Sequence, residues 1–105
     1  MRPSPALAPP SPATVDGEVR HVGDAYAQTI EAFGVVRRAL EEAGLSLDDV
    51  VRTRMFVSDM GNEADVARAH KELFDHVRPA ATMVEISRFV DPRMLVEVEA
   101  DAYKA

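Results

Sequence analysis

The chain has no cysteine, so it has no disulfide, no thiolate nucleophile and no thiolate metal site, a composition that suits a reducing cytoplasm. No apolar run approaches the roughly 20 residues of a membrane-spanning helix, which argues against a membrane partner. Positive charge is scarce: 12 Lys and Arg stand against 18 Asp and Glu, a formal net charge of −6. Phosphate backbones are met by basic patches, and single strands by basic aromatic platforms, so nucleic acid is an unsuitable partner. There is also no glycine-rich phosphate loop, no Ser/His/Asp series and no Cys/His cluster. His70 and His76 are six apart, about 240° around a helix, and cannot share a ligand, while His21 stands alone. Each histidine is therefore read as a solvated or core-edge residue, and neither metal nor cofactor is expected.

At 105 residues the chain makes one domain, with limited stability to spare unless oligomerisation buries more surface. Five of the seven prolines fall in the first fourteen residues, among Ser and Ala. Such a stretch lacks backbone donors and apolar bulk, which predicts a disordered, partly polyproline arm over 1–15 and a folded domain over 16–105. Prolines interrupt every apolar run that could serve as the core of a signal peptide.

Within the folded part, Asp24 is a plausible N-cap for an amphipathic helix from Ala25 to Ala43, with Tyr26, Ile30, Phe33, Val36 or Arg37, and Leu40 as its stripe and Gly44 as its stop. Gly34 inside it costs about 1 kcal/mol relative to Ala, which close packing on a sheet could offset. Val50 to Ser58 alternates as a strand, Val51, Thr53, Met55 and Val57 against Arg52, Arg54, Phe56 and Ser58. Asn62 is placed to cap a second helix from Glu63 to Val77, with Val66, His70, Leu73, Phe74 and Val77 on its buried side, and Pro79 ends it. Two more period-two runs follow, Thr82 to Ser87 and Val96 to Asp101, on either side of a turn at Asp91-Pro92-Arg93. Helix, strand, helix, strand, strand makes an α+β two-layer sandwich. Its difficulty is a sheet face carrying Glu97, Glu99 and Asp101, because unpaired buried carboxylates are costly. Arg52 and Arg54 are the cations that could stand opposite Glu97 and Glu99 across strands or subunits.

The motifs GDAYAQT (Gly23 to Thr29), LEEAGLSLDDVVRTRMFVSDM (Leu40 to Met60), RPAATMVEI (Arg78 to Ile86) and LVEVEADA (Leu95 to Ala102) come in the order and near the spacing of the Rid (YjgF) family, which the chain resembles from about Asp16 to Ala102. The resemblance implies a mixed β-sheet backed by two α-helices, a chorismate-mutase-like fold, assembled as a homotrimer with small-molecule clefts between subunits. It implies hydrolytic deamination of reactive imines and enamines, 2-imino acid to 2-oxo acid plus ammonia, without metal or cofactor. Carried over residue by residue, Glu97 matches the water-positioning glutamate; the residues alone equally allow an interface carboxylate paired with Arg52 or Arg54. The cleft would be lined by Ala81, Met83, Glu85, Arg52 and Arg54. Two departures stand out. Ala81 occupies the position of the arginine that grips the substrate carboxylate, and a methyl group cannot make that bidentate pair; weak activity on 2-iminobutanoate is the consequence, or a non-catalytic member that binds a metabolite or a protein. The proline-rich arm stands where the family has an N-terminal β-hairpin, which reads as a truncated or mis-started frame or as a divergent member with an open sheet edge. Ribonuclease or translation inhibition, labels sometimes attached to the family, fits the acidic chain least.

Overall fold

The computed structural model describes residues 4–5 and 18–104. Its elements are β1 (Ser4–Pro5), α1 (Ala25–Glu42), β2 (Val50–Val57), α2 (Glu63–Phe74), β3 (Ala80–Glu85) and β4 (Val96–Ala102), with short 3₁₀ turns at Leu47–Asp49 and Met60–Asn62. They form the expected two-layer α+β sandwich, a mixed sheet in the order β1-β4-β2-β3 backed by two helices. β2 runs parallel to β3 and antiparallel to β4, so the two strands around the Asp91 turn are separated by β2. The two-residue β1 lies antiparallel along the outer edge of β4, where the proline-rich composition predicts no strand. Otherwise the expected disordered arm over 1–15 lies outside the described residues.

Local chemistry sets the boundaries. The Asp24 carboxylate accepts from the Ala27 N–H at 3.0 Å and starts α1. At the other end Gly44, at φ +80°, lets the Gly44 N–H reach Glu41 O at 3.1 Å and the Leu45 N–H reach Leu40 O at 2.8 Å, a Schellman closure. Ser46 and Asp49 then make a reciprocal capping box for the first 3₁₀ turn. Asn62 makes no side-chain cap on α2; Asp59 instead accepts from the Gly61 N–H at 2.8 Å and caps the 3₁₀ turn that leads in. α2 ends at Phe74, three residues earlier than expected. The N–H groups of Val77 and Arg78 both fold back onto Phe74 O, with Arg78 at φ +56°, the price of turning sharply before Pro79.

The core lies between helices and sheet and includes Phe33, Val36, Leu40, Met55, Val57, Val66, Phe74, Val96 and Val98. α1 is rotated relative to the expected stripe: Tyr26 and Ile30 are only half-buried, while Gln28 and Thr29 are fully buried. Polar residues can take that place because each is bonded, Thr29 Oγ1 donating to Ala25 O at 2.7 Å. In β2 the pairing slips between Val50 and Arg52, leaving Val51 as the extra residue of a bulge. Val50 is therefore buried and Val51 is 47% exposed, the reverse of strict alternation. Thr53, Met55 and Val57 face the helices as expected.

Gly34 is not packed closely: a β-carbon built there meets only an Arg38 guanidinium nitrogen at 3.8 Å. With no steric compensation present, Gly34→Ala is expected to stabilise the fold by about 1 kcal/mol. Urea midpoints of the two proteins check this, and an unchanged or lower midpoint for the variant refutes it.

Candidate active site

Strand pairing places Arg52 level with Asp101, Arg54 level with Glu99, and Phe56 level with Glu97. All six project from the sheet face away from the helices, because their β2 neighbours Thr53, Met55 and Val57 are buried against the helices. One end of this open face is covered by a small apolar cluster of Val19, Phe89 and Met94, against which Phe56 and Ile86 pack.

Charge on this face is unevenly compensated. Arg54 Nε donates to Glu99 at 2.8 Å, and its two terminal nitrogens donate to Asp101 at 3.3 Å each. These bonds raise the Arg54 pKa further, Glu99 having the larger effect. Arg52 is exposed and makes no ion pair among the described residues. Glu97, which Arg52 or Arg54 could have stood opposite, is instead level with Phe56. Half-buried, it holds its proton more tightly than an ordinary carboxylate, first through loss of solvent and then through the neighbouring charge of Glu99. A carboxyl group without a cationic partner and with a raised pKa is suited to proton exchange.

The other candidate residues lie on the opposite face. Ala81, Met83 and Glu85 are level with Thr53, Met55 and Val57, hence on the helix side of edge strand β3. Ala81 is exposed, Met83 packs against the main core, and the Glu85 carboxylate accepts from the Met60 N–H at 2.7 Å, tying the β2–α2 connection to the sheet edge. Within one protomer the sheet thus separates Ala81, Met83 and Glu85 from Arg52, Arg54 and Glu97.

Two sets of contacts in this region were not read from the sequence. Buried Thr53, between Ala81 and Ala100 in the sheet, shares a 2.8 Å hydrogen bond with His70 Nε2. The imidazole stacks near Phe74, centroids 4.8 Å apart, and sits 5.8 Å from the ring of Phe33 in a T-shaped contact. The second is that of Gln28, whose amide nitrogen donates to Arg20 O, His21 O and Arg93 O at 3.3, 3.2 and 3.0 Å, and whose oxygen accepts from the Leu95 N–H at 2.8 Å. It joins the segment before α1 to the entry of β4, two residues before Glu97. The stripe on α2 at least pointed to His70; a glutamine inside a helix gave no such signal.

Burial lowers the His70 pKa from its usual value near 6.5. The unfolded chain then takes up a proton more readily than the folded one as pH falls below about 6.5, so His70 costs stability in that direction. The melting temperature is expected to drop between neutral pH and the folded pKa of His70, with a smaller drop in His70→Gln. Equal slopes for the two proteins refute the assignment.

Among the described residues no three His, Asp or Glu side chains converge to hold a metal ion, and no helix is long and apolar enough to cross a membrane.

Comparison with known proteins gives a consistent result. A family model described as Endoribonuclease L-PSP matches residues 10–104. An uncharacterized protein of Streptomyces coelicolor is 46% identical over 82 residues, which are 78% of this chain and 61% of that protein. The 3-aminoacrylate deaminase RutC of Acinetobacter baylyi is 33% identical over 92 residues, 88% of this chain and 72% of that protein. The crystal structure of a member of the YjgF/YER057c/UK114 family from Mycobacterium tuberculosis matches with a TM-score of 0.81 at 37% identity, covering 92% of this chain and 75% of that one. The chain spans about three fifths of the length of the Streptomyces relative.

Proposed function

The chain belongs to the YjgF/RidA family, that of the Endoribonuclease L-PSP model, and on that premise we propose that it is a hydrolytic deaminase of small imines or enamines, with Glu97 as its acid–base group. The observation that carries the proposal is the position of Glu97: half-buried on the open face, without a cationic partner among the described residues, its pKa raised. In the reaction, water adds to the imine carbon and gives one proton to the Glu97 carboxylate, which passes it to the nitrogen to form a carbinolamine. Glu97 then takes the carbinolamine hydroxyl proton and delivers it to the nitrogen, the C–N bond breaks as the C=O bond forms, and ammonia leaves behind a carbonyl product. The name of the Acinetobacter relative, a 3-aminoacrylate deaminase, supports this class of chemistry. Neither a metal nor a cofactor enters these steps.

The cleft we propose lies between subunits. Ala81, Met83 and Glu85 occupy the helix side of an edge strand, and Arg52, Arg54 and Glu97 the open face, so only a second copy can bring the two sets to one small ligand. A homotrimer that buries the open face would also cover Phe56 and the exposed Val84. Light scattering at micromolar concentration is expected to give three times the monomer mass, and a stable monomer overturns the assembly. The cytoplasm, where such metabolites arise, is the compartment that fits.

The test of function is ammonia release from 2-iminobutanoate generated in situ, with and without the protein. We expect slow but measurable acceleration, because Ala81 supplies no cation for the substrate carboxylate, Arg54 is committed to Glu99 and Asp101, and Arg52 stands four residues along β2 from the level of Glu97. Ala81 also favours a second reading, a member that binds a metabolite or a protein without catalysis, and the absence of any acceleration on imine or enamine substrates would select it. The ribonuclease in the description of the family model is the least suited reading: three carboxylates against two arginines, one already engaged, make a poor phosphate cradle.

A further inference from the structure

On the outer side of the helical layer, away from the sheet, a cavity of about 330 Å³ opens between the second half of α1, the Leu47–Asp49 turn and the end of α2. It is a shallow depression, largely open to solvent, that could hold one small molecule against its floor. Leu47 and Leu73, both packed against the main core, supply an apolar lining. Most charges around it are already matched. Asp48 is joined to His76 at 2.9 Å, and Glu72 takes the Tyr26 hydroxyl and lies 3.8 Å from Arg68.

Two lining charges are not matched. Arg37 and Glu41 stand one helical turn apart on α1, and among the described residues neither makes an ion pair. Their order accounts for this, because a basic residue four positions before an acidic one is the less favourable arrangement on a helix. The cavity therefore presents one cation and one anion, with β-carbons roughly 5–6 Å apart, beside an aliphatic wall. A lone anion would be repelled by Glu41 and a lone cation by Arg37; a molecule carrying both charges satisfies both.

We propose that this cavity binds a zwitterionic amino acid with an aliphatic side chain, its carboxylate on Arg37, its ammonium on Glu41 and its side chain against Leu47 and Leu73. The site is separate from the open face and does not depend on the deaminase reading.

The test is an amide NMR titration of the full chain with three probes: L-leucine, 4-methylpentanoate, which lacks the ammonium, and 3-methylbutylamine, which lacks the carboxylate. Leucine is expected to give saturable shifts confined to the cavity segments of α1, the Leu47–Asp49 turn and the end of α2. Each single-charge probe should bind at least about tenfold more weakly, the loss of one charge-assisted contact. Arg37→Gln should weaken leucine about as much while sparing 3-methylbutylamine, and Glu41→Gln should do the converse with 4-methylpentanoate. Absence of saturation by leucine, saturable shifts at other residues, or equal binding by a single-charge probe overturns the proposal.

Discussion

Glu97→Gln is expected to lower imine hydrolysis at least about a hundredfold, the usual range for losing a general acid–base group, with little change in stability. The amide has nearly the shape of the carboxyl but cannot take a proton from water and return it to nitrogen. Stability should be preserved because Glu97 makes no hydrogen bond within the described chain, and because the variant relieves its repulsion with Glu99. That combination separates a chemical role from a structural one. A Glu97→Gln protein that turns over imine at the wild-type rate sinks the assignment, whatever its melting temperature.

The same site fixes the direction of the pH dependence. As the proposed base, Glu97 would work only when ionised, so turnover is expected to fall as pH drops through its raised pKa, with the acid limb higher than an unperturbed glutamate would place it. The neighbouring charge of Glu99 is one cause of that rise. Removing it should move the limb toward lower pH, and the freed Arg54 would push it the same way by favouring the carboxylate.

The sequence revealed this face through alternation: Val96, Val98 and Ala100 inside, Glu97, Glu99 and Asp101 outside, as observed. The period of two does not contain register. Arg54 was a visible candidate for Glu97 or Glu99, but the register of β2 against β4 sets which pairs are level, and it brings Phe56, not an arginine, beside Glu97. Register also decided the lining set. Ala81, Met83 and Glu85 alternate as cleanly as any strand, yet which face they occupy depends on their parallel pairing with β2, a long-range fact. Helix starts and stops were legible where a short-range motif decides them, as at Asp24 and Gly44, and were misread where a turn competes, as at Asn62 and beyond Phe74.

Gln28→Leu is expected to destabilise the fold by about 2–4 kcal/mol, a large share of the roughly 5–15 kcal/mol that holds a domain of this size. Leucine fills nearly the same volume, so the loss is one of hydrogen bonds and not of packing. The Leu95 N–H loses its only side-chain acceptor, and the carbonyls of Arg20, His21 and Arg93 lose a shared donor in a place where the glutamine is fully buried. By contrast, cutting the Arg54 cluster with Arg54→Met should cost less in the isolated protomer, because those ion pairs remain in contact with solvent. Gln28→Glu separates the two halves of the clamp: its carboxylate can still accept from Leu95, but at neutral pH it faces three carbonyl oxygens with no proton to give them. It should therefore be destabilised too, and should recover as falling pH restores a proton to the group. Hydrogen exchange localises the effect, since loss of the clamp frees the entry of β4 and should speed exchange at Leu95 before exchange at the β2–β4 ladder. Because Glu97 lies two residues further along the same strand, turnover should fall with that protection even under conditions where the variant remains folded. A Gln28→Leu protein with wild-type urea midpoint and wild-type Leu95 exchange would mean that water replaces the amide at no cost, and that the position of Glu97 is set by the sheet alone.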